Sequence, residues 1–255
     1  MSEHIKTEQR DGVLTLTIAR PEKKNALTVA MYAALADAII GADADTSARV
    51  ILITGTADSF TAGNDLKDFL ENPPVDSNSP VFKFMHAIAG AKTPIVAAVN
   101  GLAIGIGTTM LLHCDLVYAS SSARFQMPFV NLGLVPELGS SLVLPALAGR
   151  ARASELLMFG EAFDAKTAQD IGLLNAVCEA GDLLETAHAA AAKLAAKPPA
   201  ALRKTKALMN SDEAALHKRI DAEAAVFGQQ LGSDEVKEAI AAFFEKRAPD
   251  FSKFN

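Results

Sequence analysis

Tryptophan is absent from this 255-residue chain and tyrosine occurs only twice, so it has no aromatic belt of the kind that marks a membrane protein. Cysteine is also limited to two residues, Cys114 and Cys178, each inside an apolar run. One such pair is no disulfide framework, and without a Cys-x-x-Cys or Cys/His cluster no metal centre is predicted. Two buried thiols in a reducing compartment are expected. Charge of one sign is scarce too: 24 Lys and Arg face 30 Asp and Glu, for a net charge of −6, and no basic block stands out. A nucleic-acid partner therefore has no electrostatic support. The first residues lack a long apolar stretch and carry acids early, so neither a secretory signal nor a transit peptide is expected, and the cytoplasm is the expected location. The most apolar passage, residues 94–119, is broken by Asn100, His113, Asp115 and glycines, and reads as core and not as a membrane span.

What is present is an ordinary globular balance, 50% apolar and 21% charged. Val13–Ile18 alternates as a strand does, and Arg20-Pro21 ends it. Thr28 can cap a helix whose Met31, Leu35, Ala38 and Ile39 share a face. Residues 50–54 (VILIT), 94–99 (PIVAAV) and 115–119 (DLVYA) are continuous apolar runs, the pattern of parallel strands covered on both sides. Each leads into a turn and most turns into a helix. Residues 71–80 (ENPPVDSNSP) predict a surface loop, a candidate lid edge. After residue 178 only helical patterns follow, interrupted at Pro198-Pro199, with Ser233 capping the last. This is an α/β chain with crossover helices and a helical C-terminal part.

Two loops could carry chemistry. Phe60-Thr61-Ala62-Gly63-Asn64-Asp65-Leu66 follows a buried strand and opens a helix; such a turn exposes backbone N–H groups to an anion or a developing oxyanion. Asp65 also suits the first turn of that helix. Asn100 to Gly107 is a second strand–turn–helix passage, but it lacks the third glycine of a dinucleotide fingerprint and the Gly-Lys-Ser/Thr of a P-loop.

In this order the two loops resemble the crotonase superfamily of enoyl-CoA hydratases and isomerases. Residues 20–27 (RPEKKNAL), 114–119 (CDLVYA), 125–139 and 168–177 (AQDIGLLNAV) complete the match, which covers nearly the whole chain. The resemblance implies a ClpP-like spiral of strand–strand–helix units over residues 1–195. It also implies a helical trimerisation region over 196–255, a homotrimer or a dimer of trimers, and an acyl-CoA thioester substrate. No separate cofactor or metal is implied, since coenzyme A belongs to the substrate. Carried over by motif, the two oxyanion N–H donors fall on Ala62 and Ile106, and the Ile106 side chain is expected to narrow the pocket. Ala62, Gly63, Asn64, Asp65 and Leu66 would cradle the thioester and pantetheine. Lys24 and Ala26 would lie near the nucleotide end, and Phe129 would help shape the acyl end.

The departures from the pattern bear on the reaction. The positions of the two hydratase glutamates hold Thr109 and Phe129. One carboxylate stands at a suitable place, Glu137 in LVPELG, where the peroxisomal-type Δ3,Δ2-enoyl-CoA isomerases carry their base. A single carboxylate suffices to move a double bond, whereas adding water needs both a base and an acid. The resemblance to those enzymes therefore implies an isomerase. Hydration through Glu137 alone and non-catalytic acyl-CoA binding are the alternatives. Arg203, Lys204 and Lys206 read as a solvated helix face, and His113 as a packed histidine.

Overall fold

The computed structural model describes residues 2–72, 79–210 and 212–254. Most of the loop expected over 71–80 lies on residues 73–78, outside the described residues.

The chain opens with an antiparallel hairpin, β1 (Ile5–Arg10) and β2 (Val13–Ile18), turned at Asp11-Gly12, both at positive φ. Helix α1 (Val29–Ala44) follows, with the Thr28 side chain accepting the Met31 N–H as its cap. Three similar passes then succeed one another. Each begins with a long buried strand and bends into a short strand of a second sheet. The first is β3 (Val50–Gly55) and β4 (Ser59–Thr61), followed by α2 (Leu66–Glu71) and α3 (Pro80–Ala89). The second is β5 (Ile95–Val99) and β6 (Leu102–Ile104), followed by α4 (Ile106–Thr109) and a 3-10 turn, Met110–His113. The third is β7 (Leu116–Ser120) and β8 (Arg124–Gln126), followed by α5 (Ser140–Ala148) and α6 (Arg150–Phe159). After β9 (Phe163–Asp164), α7 (Ala165–Asp170) and β10 (Ala176–Cys178), the remainder is helical: α8 (Leu183–Ala195), α9 (Pro199–Met209), α10 (Glu213–Leu231) and α11 (Asp234–Glu245).

The long strands form one sheet in the order β1-β2-β3-β5-β7-β10, parallel from β2 onward, and the short ones a second in the order β4-β6-β8-β9. Stacking each pass on the last in both sheets at once generates the spiral. Period-2 alternation divides the long strands between two cores. Ile51, Ile53, Ala97 and Val99 join the main cluster with Phe60 and Phe125. Val50, Leu52, Val96 and Ala98 face α8, whose Leu183, Ala187, Ala191 and Ala195 are buried against them. Alanine on that helix face lets its backbone approach the sheet closely. The C-terminal helices share the main core: Ile220 and Phe227 of α10 belong to the same cluster as the strands.

Two expectations fail here. Lys206 is no solvated lysine: it is 5% exposed, and its Nζ lies 2.7 Å from Asp115 Oδ2 and 3.2 Å from the Thr93 carbonyl, tying α9 to the start of β7. Arg203 is half-buried and donates to Thr93 Oγ1, so of the set Lys204 alone is exposed. The two thiols are free but only partly buried; Cys114 is pushed up to about 12, chiefly by burial and then by Asp115. Among the described residues no helix is long and apolar enough to cross a membrane.

Candidate active site

Asn25 organises the first loop. Held at φ 58° and fully buried, it donates its amide to the carbonyls of Thr56 and Ser59, accepts the Arg20 N–H, and receives the Thr61 hydroxyl on its own carbonyl. This clamp lays residues 24–27 along residues 62–65. Ala62 N–H donates to Lys24 O (2.9 Å), Leu27 N–H to Gly63 O (2.8 Å), and Asp65 N–H to Leu27 O (2.9 Å). In extended backbone alternate groups point to opposite sides. Asn64 lies between the Gly63 carbonyl and the Asp65 N–H that bond Leu27, so its own N–H points away, and it has no hydrogen-bond partner among the described residues. The expected donor Ala62 is thus corrected: its N–H is consumed by the Lys24 carbonyl, and Asn64 presents the free one.

The second loop supplies its counterpart. Gly105 adopts φ 57° and ψ −119°, a conformation open essentially to glycine alone, and turns β6 into α4. Ile106 is the first residue of that helix, so its N–H has no intrahelical acceptor, and none of the described residues bonds it. The loops touch where side chains are missing. A Cβ on Gly63 would stand 2.8 Å from the Ile104 carbonyl oxygen, and one on Gly107 would stand 2.6 Å from Thr61 Cγ2. The Ile106 side chain, 2% exposed, belongs to the main core cluster and does not line the pocket beside Glu137. Phe129, 6% exposed, is likewise a core residue outside the pocket lining.

Glu137 sits on the turn before α5, only 6% exposed. Thr109 Oγ1 donates to its Oε1 at 2.5 Å, while Oε2 has no partner among the described residues. Thr109, where the resemblance places a hydratase glutamate, thus holds the Glu137 carboxyl. Its turn is fixed by neighbours as well. Ser140 Oγ donates to the Glu137 carbonyl (2.7 Å), and His113 Nε2 donates to the Leu138 carbonyl (2.8 Å). Burial draws the His113 ring down to about 4, so it is neutral at pH 7 and acts as a packed donor. Burial pushes Glu137 the other way, from 4.5 up to about 8; the Thr109 hydroxyl lowers it and the nearby Glu223 raises it further.

The pocket beside Glu137 is walled by Asn64, Leu138, Phe69, Val81, Phe82 and Met85, with Ile220, Ala224 and Phe227 from α10. Its volume, about 10 Å³, is room for a single water. Tyr32 of α1, buried to 1% exposure, donates its hydroxyl to Asn64 Oδ1 and so turns the Asn64 amide NH₂ to the other side. Burial, followed by the Glu137 charge, raises the Tyr32 hydroxyl well above its ordinary value. Tyr32 was missed in the sequence because it reads as one more core position of an apolar helix.

The remaining candidates divide. Lys24 is exposed and Ala26 half-buried, both beside the first loop through the bonds above. Asp65 caps α2, accepting the Lys67 and Asp68 N–H groups, and pairs with Arg20 Nη1 at 2.7 Å. Burial tends to raise its carboxyl, but Arg20 and those amides outweigh it and hold it low. Leu66 begins that helix, half-buried. Asp65 is therefore already committed to structure, and among the described residues Glu137 is the one carboxyl lining the pocket.

The spiral of paired sheets agrees with the crotonase fold that the resemblance implied, and two abutting loops with free N–H groups and a buried carboxyl meet within it. Comparison with known proteins bears this out. Residues 8–254 match the family model "Enoyl-CoA hydratase/isomerase", and the chain belongs to that family. It is 35% identical to the 1,2-epoxyphenylacetyl-CoA isomerase of Escherichia coli (strain K12), over 99% of each chain. It is 37% identical to the 2,3-dehydroadipyl-CoA hydratase of the same organism, over 98% of this chain and 99% of the other. The crystal structure of an enoyl-CoA hydratase/isomerase from Pseudoalteromonas atlantica T6c superposes with a TM-score of 0.94 at 44% identity, covering 98% of this chain and all of that one.

Proposed function

We propose that the protein is an acyl-CoA isomerase that moves a double bond from C3 to C2 of an enoyl-CoA thioester, with Glu137 as its single base. The observation that carries this reading is the state of that carboxyl. It is buried, raised to about 8, and held by Thr109 at one oxygen while the other is left for substrate. The N–H groups of Asn64 and Ile106 would receive the thioester oxygen. Glu137 would take a proton from C2, the electron pair would spread over the dienolate onto that oxygen, and the same proton would return to C4. No water enters and nothing is oxidised. A carboxyl of raised pKa is the stronger base once ionised, and the proton it then carries is readily given back.

Hydration is the second reading, favoured by the relatives named as hydratases, such as the 2,3-dehydroadipyl-CoA hydratase. It would require Glu137 alone to activate the water and protonate the α-carbon. Product identification from defined 3-enoyl- and 2-enoyl-CoA esters separates the readings. The isomerase reading expects the 2-enoyl product from the first ester and no 3-hydroxyacyl product from the second. A 3-hydroxyacyl product at comparable rate would replace it, and thioester binding with no turnover of either would make the protein a binder. The kcat/KM of the isomerisation should rise with pH to a plateau above about 8, because it reports the ionisation of the base in the free enzyme.

A further inference from the structure

The turn that presents Glu137 is held from the far end of the chain. Leu138 and Gly139 both have positive φ, 57° and 69°, so the backbone there is strained at a branched residue and its N–H groups converge. Glu223 of α10 occupies that convergence. Its Oε2 accepts the Gly139 N–H at 2.6 Å and its Oε1 accepts the Ser141 N–H at 3.0 Å. Glu223 is 7% exposed and lies 86 positions after Glu137 in the sequence.

We propose that Glu223 is a positioning residue for proton transfer: its carboxylate grips the strained turn and thereby sets the aim of Glu137. This rests on Glu137 being the base. The grip is chemically specific, because a carboxylate offers an acceptor at each oxygen and can satisfy both amides at once, whereas a carboxamide opposes one of them with its own NH₂. The Glu223 charge is also one of the causes that raise the Glu137 carboxyl. The other groups facing the pair are accounted for. Thr109 and Tyr32 face Glu137, and His113, neutral at pH 7, bonds the turn at Leu138. Burial raises the Glu223 carboxyl above its ordinary value, opposed in part by the Ser141 hydroxyl, the Ser141 and Gly139 amides and Arg219 on α10. Docking of α10 is thereby coupled to chemistry as well as to the pocket wall that Ile220, Ala224 and Phe227 provide.

The test compares Glu223→Gln, Glu223→Asp and Glu137→Gln in the full-length protein, by steady-state isomerisation of a 3-enoyl-CoA across pH and by thermal melting. Glu223→Gln is expected to lower kcat by roughly 10-fold or more, since small misplacements of a reacting group are costly, with KM within about 2-fold. It should also move the midpoint of the kcat/KM profile to lower pH, an effect that loss of packing alone does not produce. Glu223→Asp keeps the charge but shortens the reach, so it should keep the midpoint and lose part of kcat. If Glu137→Gln is inactive while both Glu223 variants melt normally and keep wild-type kcat, the positioning role is overturned and the base stands. Should Glu223→Gln fail to fold, a folded Glu223→Asp with wild-type kcat would overturn the role in the same way. If Glu137→Gln isomerises at the wild-type rate, the base and the positioning role fall together.

Discussion

Replacing Glu137 by Gln should make the protein more stable at alkaline pH while removing its activity. Gln keeps the size of the side chain and can accept the Thr109 hydroxyl through its amide oxygen, so packing is conserved. What disappears is an ionisable group in a dry place. The lift from 4.5 to about 8, at ~1.36 kcal/mol per unit, places the folded-state cost of ionising Glu137 on the order of 5 kcal/mol. The sign follows from linkage. Below 4.5 the carboxyl is protonated whether the chain is folded or unfolded, and it costs nothing. Between 4.5 and about 8 the unfolded chain releases the proton and the folded chain keeps it, so wild-type stability drains away as pH rises; above about 8 the full cost is present. The gap between the Gln variant and wild type should therefore open from near zero at about pH 5 to several kcal/mol at about pH 9. Denaturant unfolding of both proteins at matched concentration, at about pH 5, 7 and 9, reads it directly. Activity should fall by roughly 10²–10⁴-fold in kcat, with little change in acyl-CoA binding. A gap that does not depend on pH, or a variant less stable than wild type at about pH 9, would refute the burial argument even if activity were lost.

Other consequences can be checked independently. Ile106→Gly retains the backbone N–H and should retain the rate, at some loss of stability from the emptied core position; Ile106→Pro removes the donor and should cost roughly 10²–10³-fold in kcat. Tyr32→Phe frees the Asn64 carboxamide to rotate and should lower kcat/KM while the melting temperature moves little, because the ring and its packing on Phe84 remain. Lys206→Met strands Asp115 at the foot of β7 and should destabilise the fold by ~3 kcal/mol without altering the kcat/KM pH midpoint. Phe243 and Phe244 of α11 are 59% and 58% exposed, and such a patch suits the expected homotrimer or dimer of trimers. Sedimentation at micromolar concentration should show an assembly, and a stable monomer would contradict it.

The long parallel strands were legible because residues buried on both faces leave unbroken apolar runs, and β3, β5 and β7 fall on the runs VILIT, PIVAAV and DLVYA within a residue or so. Caps at Thr28 and Ser233 were legible from side-chain chemistry alone. β1 was not, because only Ile5 among its residues is buried and the rest face water. The short strands β4 and β6 were read as turns and β8 was not assigned, since three residues carry no periodicity and their pairing partners come from other passes of the spiral. At the site, Glu137 and Ile106 could be named from motif. The first donor was displaced by two residues because a sequence shows which amides lie in a loop but not which are already spent, and only the Lys24 carbonyl decides that. Lys206 misled for a similar reason: its half-buried partner Asp115 lies 91 positions away.

The closeness of Gly63 to Ile104 and of Gly107 to Thr61 has a consequence for heredity. The groups that would polarise the substrate are main-chain atoms, so changes of side chain at 64 or 106 other than to proline leave them in place. The glycines that let the turns meet have almost no freedom, because a single added methyl at either enters the other loop. Mutation is therefore channelled. The polarising frame is frozen by absent atoms, whereas at Thr109 and Glu137 the chemistry is carried by side chains. A lineage built on this frame would change what it does to a thioester far more readily than it would lose the ability to hold one.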